Sequence, residues 1–381
     1  MPIKQTYHLH QQTPLIHFQH DEPGACLRAS EVKPKLDKFL LERLGGEGKI
    51  PREWWISYDE KKEKPNHLAL DYKMRFAAKG EPEIAEPHKL YFGNMGLKDR
   101  ADFRKTVFYP DGVDMFIVCL HPDLMDKIHE WLPCFFALNA FGTRSGKGFG
   151  GFSLADREPD EAMLRDCCPH KIFYQIKYSS KQGHAALFND IWVLSGMMKS
   201  GFNFTFRNAS DYYKGRVFRY FSQKGIGGDK AFIKQRVLRG QDWNPSSEER
   251  ARYQEYRFVR AMLGLPGGFE FRSGPKTTRR GNVTVDSNTI KRFSSPVQYR
   301  VQGNQLLIIP QKIPDELYDA AFQLNNQTIR TPRTFDLIDF LDAFIKDFNT
   351  RIDISAFRHP DILKSVVSTR LAIQKIGGGT Q

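Results

Sequence analysis

The stretch that most limits what this chain can build is Phe141 to Phe152, FGTRSGKGFGGF, where five glycines are interleaved with Arg144, Lys147 and three phenylalanines. Glycine accepts positive φ and lets other atoms approach the main-chain N–H groups with no Cβ in the way. Successive amides over Gly142, Gly146, Gly148 and Gly150 are therefore expected to line an anion-binding concavity, with Arg144 and Lys147 adding charge and Phe149 placed to stack on a base. A solvent-facing surface loop is the plainer alternative.

Familiar phosphate-binding motifs fail here on spacing or context. A P-loop needs four residues between its first glycine and Gly-Lys, then Ser or Thr; only three separate Gly142 from Gly146, and Gly148 follows Lys147. Gly146, Gly148 and Gly151 fit a dinucleotide fingerprint in spacing, but that fingerprint requires a strand before it and a helix after it. The order is reversed. Met125, Ile128, Leu132, Phe135 and Phe136 recur at helical spacing before the loop, and Phe152-Ser-Leu after it reads as extended. The downstream Asp and Asn loops of a kinase are also missing.

At 381 residues two or three domains are expected, and 40% hydrophobic content with 13% aromatic residues supplies packed cores. The net charge of +13 and a pI near 9.4 point to a polyanionic partner, nucleic acid before an acidic membrane. No apolar run reaches the roughly 18 residues a membrane span needs. MPIKQTYHLHQQTP lacks the apolar core of a secretory leader, so a cytoplasmic location is expected. The five cysteines are scattered apart from Cys167-Cys168, too tight for a metal spacing, and the histidines form no ligand pattern on a helix. No metal, cofactor or catalytic set is expected.

In chain order, Thr6–Phe18 reads as a strand, Ser30–Leu44 as a helix stopped by Gly45-Gly46, and Leu68–Ala77 and Asp114–Leu120 as strands. Pro122–Ala140 reads as a helix, and a strand begins at Phe152. That order is βαββαβ, the split-βαβ or ferredoxin-like arrangement. Arg28, Lys33 and Lys35 at the first helix are candidate phosphate contacts, with a solvated helix face as the alternative. After the acidic break at Asp156–Asp166 the pattern recurs: a strand at Lys171–Tyr178, a helix at Ala185–Lys199, a hairpin of Val297–Val301 and Gln305–Ile309, a helix at Thr334–Phe348 capped by Thr334, and a strand near Ile352–Ala356. A long insertion at about 200–268 is expected to be helical, ending in ERARYQEYRFVRAMLGLPGG. Lys276, Arg279, Arg280, Lys291 and Arg292 form a second basic patch on a loop or hairpin. The fold class expected is α+β, with two ferredoxin-like domains over 1–160 and 161–381.

Thr13-Pro14-Leu15, Leu27-Arg28-Ala29-Ser30-Glu31-Val32-Lys33, the glycine-rich loop and RFSSPVQYRV at Arg292–Val301 resemble the RAMP superfamily of CRISPR effector proteins. The chain is most similar to the large two-domain subunit of Cmr-type (type III-B) complexes, although Pro34 stands where that subunit usually has glycine. The resemblance implies a non-catalytic subunit that binds guide and target RNA beside other subunits of the complex, with base pairing rather than the protein reading sequence. Two alternatives stay open. One is an RNA-cleaving RAMP relative, with His17, His20 and Asp286 as loose candidates; the other is a nucleotide-binding enzyme, supported only by the GxG spacing.

Overall fold

The structure, a computed structural model, describes residues 1–16, 26–56, 69–84, 106–206, 209–238, 253, 255–265, 268–272, 280–351 and 372–378. The fold is mixed α+β, with antiparallel pairing dominant. Contacts divide the chain into two compact units. One comprises Met1–Phe188, Tyr299–Ile309 and Lys375–Gln381; the other comprises Asn189–Gln298 and Pro310–Gln374. Residues 161–188 thus go with the first unit, beyond a cut at 160.

In the first unit, β1 (Ile3–Gln11) alternates because Tyr7, Leu9 and Gln11 face the core while His8 and His10 face out. A two-residue strand β2 (Leu15–Ile16) follows, then α1 (Ala29–Arg43), whose Val32, Leu36, Phe39 and Leu40 are buried at helical spacing. After it come β3 (Tyr72–Ala78), β4 (Glu83–Ile84), β5 (Thr106–Phe108) and β6 (Val113–Cys119). The apolar helix α2 (Pro122–Leu138) starts with Pro122 at a position where a missing N–H costs nothing. The glycine-rich loop leads from it to β7 (Phe152–Leu154). The sheet order is β3-β6-β1-β7. β1 pairs antiparallel with β6 and β7, and β3 pairs antiparallel with β6. The two helices bury a single core against one face of this sheet.

A short helix α3 (Glu161–Cys167), N-capped by Asp160, occupies the acidic stretch read as a break. Then follow β8 (Ile172–Lys177), α4 (His184–Met198) and, within Asn189–Gln298, β9 (Phe202–Phe206), β10 (Ala209–Tyr213), α5 (Arg216–Ser222), β11 (Ile226–Gly228), α6 (Asp229–Phe232), β12 (Glu255–Arg257), β13 (Gly268–Arg272) and β14 (Arg280–Asp286). β15 (Val297–Gln302) and β16 (Gln305–Pro310) form the expected hairpin about Gly303-Asn304, with Gly303 at φ 56°. β17 (Ala321–Leu324), β18 (Gln327–Arg330), α7 (Leu337–Arg351) and β19 (Gln374–Gly377) complete the described chain.

β15-β16-β8-β19 is a second four-stranded sheet. Its strands run in the same order relative to the chain as the first: second, third, first, fourth. The strand expected near Ile352–Ala356 lies outside the described residues, and Gln374–Gly377 takes the fourth place. Three further expectations are corrected. The 249–268 stretch is no helix where it is described: Glu255–Arg257 is a strand parallel to β11 and Val259–Leu263 a tight 3₁₀ turn. The 200–268 insertion mixes strands with short helices. Asp336 rather than Thr334 caps α7, accepting the Ile338 and Asp339 amides at 2.9 and 3.0 Å.

The second unit carries a six-stranded sheet, β11-β12-β18-β17-β14-β13. Beside it, Tyr220 and Phe221 of α5 pack on Phe335, and Tyr220 also meets Phe340 of α7 edge to face. A buried pair, Arg260 Nε to Asp229 Oδ2 at 2.6 Å, tethers the 3₁₀ turn to α6.

Candidate nucleic-acid interface

The glycine-rich loop is closed at its base by a bridge between Ala140 and Gly151 and by the Phe141 amide donating to the Gly150 carbonyl at 2.9 Å. Its glycines are there for close approach. Gly142, Gly148 and Gly150 have φ of 73°, 87° and 68°, a region in which side chains are strained. A Cβ at Gly142 would stand 2.5 Å from the Ile16 carbonyl oxygen, and one at Gly150 would overlap the Phe141 carbonyl.

Most of the loop's amides donate to the protein itself. Gly142 N–H donates to Glu31 Oε1 at 2.9 Å, Thr143 to the Ile16 carbonyl at 3.2 Å, Gly148 to the Ser145 carbonyl at 3.3 Å and Gly150 to the Pro14 carbonyl at 2.8 Å. Gly151 donates to Thr13 Oγ1 at 2.9 Å. The expectation of an amide cradle for phosphate is corrected accordingly: these donors bind β2, Pro14, Thr13 and α1. Gly146 contributes a carbonyl, which accepts the Tyr299 amide at 3.2 Å and joins the loop to β15. Phe149 is also reassigned, since it is 2% exposed and stacks on Phe188 with centroids 4.0 Å apart and planes 13° from parallel. A base cannot reach it.

The cations divide by what already holds them. Lys33 donates to Asp37 Oδ2 at 2.7 Å and to the Leu70 carbonyl at 2.8 Å, with its ammonium 4.2 Å from the Tyr72 ring centroid. Burial pushes the Asp37 carboxyl up, and the Lys33 ammonium opposes it. Lys35 bridges Glu31 Oε1 at 2.9 Å and the Ala140 carbonyl at 3.1 Å, so Glu31 holds both a lysine and the loop's Gly142 amide. Lys147 is half-buried, 5.7 Å from the Tyr299 centroid, and burial followed by the Arg144 charge brings it down to about 8. Arg144 is half-buried at φ 59°. Arg28 is exposed at the N-cap of α1, and Lys291 and Arg292 are exposed before β15. Arg280 opens β14, while Lys276 and Arg279 lie outside the described residues. The structure thus brings Glu31, Lys35, Gly142, Arg144, Gly146 and Lys147 together; Lys291 and Arg292 belong to the other unit.

Sequence reasoning missed Arg300. It is buried, with Nε donating to the Leu138 carbonyl at 2.9 Å and Nη1 to the Ser145 carbonyl at 2.9 Å, and burial lowers it to about 10. The sequence carries no signal for it, since VQYRVQ alternates and sets Arg300 with Gln298 and Gln302 on the polar positions of the strand. Gln12 was missed as well: it joins Ser153 on β7 at 2.8 Å to the Gly303 amide of the hairpin turn at 3.1 Å.

Of the cleavage candidates, His17 and His20 lie outside the described residues. Asp286 ends β14, exposed, and accepts the Ser287 amide at 2.8 Å. Among the described residues no group of three or more His, Cys, Asp or Glu is placed to hold a metal, and no helix is long and apolar enough to cross a membrane. All five cysteines are buried free thiols.

The fold is that of an α+β protein with two four-stranded sheets of one strand order, in a chain of net charge +13. The chain belongs to the Cmr1 family: the Cmr1 N-terminal domain matches residues 3–202 and the Cmr1 C-terminal domain residues 212–367. Among solved structures, the chain is similar to Cmr1 from Pyrococcus furiosus in its apo form at 11% identity, over 82% of this chain and 90% of that one, with a TM-score of 0.36. It is also similar to a chain of the type III-B Cmr-beta complex bound to cognate target RNA, at 17% identity and a TM-score of 0.26, over 41% of this chain and 59% of that one. No curated protein matches the sequence.

Proposed function

We propose that this chain is a non-catalytic RNA-binding subunit of a type III-B CRISPR effector complex, contacting the backbones of guide and target RNA beside the other subunits. The observation that carries it is the pair of Cmr1 domain matches, which together account for residues 3–202 and 212–367. A net charge of +13 supports it, because a polyanion is bound chiefly through neutralised phosphates. Both four-stranded sheets are read here as ferredoxin-like. Arg28, Arg144, Lys291 and Arg292 are the described cations assigned to phosphate; Lys276, Arg279 and Arg280 extend the second patch.

The test is co-expression of the chain with the remaining type III-B subunits and a guide, followed by incubation of the purified complex and of the chain alone with labelled RNA and Mg²⁺. The chain is expected to co-purify with the guide-loaded complex and, by itself, to leave both repeat and target RNA uncut. Failure to join the complex overturns the assignment. Cleavage by the chain alone that is lost on His17→Ala, His20→Ala or Asp286→Ala establishes the nuclease alternative.

A further inference from the structure

The helices α1 and α2 cover one face of the β3-β6-β1-β7 sheet; the other face carries a pattern that the glycine-rich loop and the second basic patch do not explain. Register sets its rows. Arg75, Phe116 and Thr6 lie abreast across β3, β6 and β1; Lys73, Val118 and Lys4 form the next row, and Ala77, Asp114 and His8 the row on the other side. Alternation sends all of these away from the helices, and Lys4, Thr6, His8, His10, Lys73 and Arg75 are exposed. Phe116 sits half-buried at the centre with the Arg75 guanidinium 4.0 Å from its ring centroid.

We propose that this open face is a second RNA-binding surface, taking a single-stranded segment with one base stacked on Phe116 and Arg75 and the adjoining phosphates on Lys73 and Lys4. An aromatic ring and a guanidinium plane both serve as stacking partners for an unpaired base. Neighbouring strands are about 4.8 Å apart, so Lys73 and Lys4, on either side of Val118 in the row beside the stacking row, lie about 10 Å from one another. The charge is complementary to RNA: the four strands carry one acid, Asp114, and it is already engaged by His8 at 2.5 Å and Lys79 at 3.1 Å. Lysine is depleted from protein interfaces, so Lys4 and Lys73 favour a nucleic acid over a neighbouring subunit. The proposal rests on the RNA-binding reading above and goes beyond it in naming the face, the base platform and the strandedness.

The test uses the full chain with a fluorescent, unstructured single-stranded RNA and a matched abasic strand. Phe116→Ala is expected to weaken binding of the base-bearing RNA roughly five- to 150-fold and to leave the abasic strand unaffected, while Phe116→Tyr keeps wild-type affinity. Lys4→Ala and Lys73→Ala are each expected to flatten the dependence of log K on log salt by about 0.7. Wild-type affinity and slope in Phe116→Ala and in the double lysine variant would overturn the proposal. So would a Phe116→Ala loss of equal size on the abasic strand, or variants that lose a partner subunit while binding RNA normally. If the wild-type chain itself binds no RNA, the reading of the preceding section falls with it.

Discussion

Phe149 lies flat against Phe188, ring centroids 4.0 Å apart, and the contact fixes the glycine-rich loop to the start of α4. Both rings are almost fully buried, at 2% and 3% exposure. The loop is thereby part of the first unit's core, and its conspicuous glycines are the condition for packing this tightly.

Phe149→Ala should therefore act on stability. Removing a fully buried phenylalanine costs about 3–5 kcal/mol, and urea denaturation monitored by circular dichroism should show a loss of that order. Because no charge is removed, the salt dependence of RNA binding should stay at the wild-type slope. A stable variant with weakened RNA binding would restore Phe149 as a base-stacking residue.

Gly150→Ala should be far more damaging than Gly183→Ala. Gly150 combines positive φ with a Cβ position already taken by the Phe141 carbonyl, whereas a Cβ at Gly183 meets nothing within 4 Å. Alanine forced into positive φ destabilises by more than about 1 kcal/mol, to which the overlap adds. Equal melting temperatures for the two variants would show that the loop opens freely.

Lys147 gives the stability a pH dependence of definite sign. Its folded-state titration is brought down from 10.5 to about 8, first by burial and then by Arg144. Between about pH 8 and 10.5 the unfolded chain holds a proton that the folded chain has released, so Lys147 makes stability rise with pH across that window. Lys147→Met should remove this contribution, and denaturant midpoints taken from pH 7 to 10 should rise less steeply in the variant. An unchanged profile would place the Lys147 ammonium in water.

The elements of the first four-stranded sheet and its two helices were legible because each carries its own period: buried Val113, Met115, Ile117 and Cys119 alternate on β6, and Val32, Leu36, Phe39 and Leu40 repeat on α1. The strands of the second four-stranded sheet were legible except its last. The role of the glycine-rich loop was not, since glycine serves an anion cradle and a tight packing corner equally well. Only the tertiary partners Ile16, Pro14, Glu31 and Phe188 decide between them. The stretch before Leu265 misled for a similar reason. Tyr253, Tyr256, Val259 and Arg260 mimic helical spacing, yet Arg257 is drawn into pairing with β11 and β18 and held by Glu255 and by Asp319 at 2.5 Å. The open sheet face was hidden because its cations come from two strands, β1 and β3, with Phe116 on β6 between them, and register alone brings them together.

The most direct test of the RNA-binding account is photo-crosslinking in the assembled complex, with 4-thiouridine placed in turn along the guide and the target RNA, followed by mass spectrometry of this chain. The account predicts crosslinks to this subunit from defined positions of the guide or the target RNA. Crosslinks confined to the other subunits at every position of both strands would contradict it.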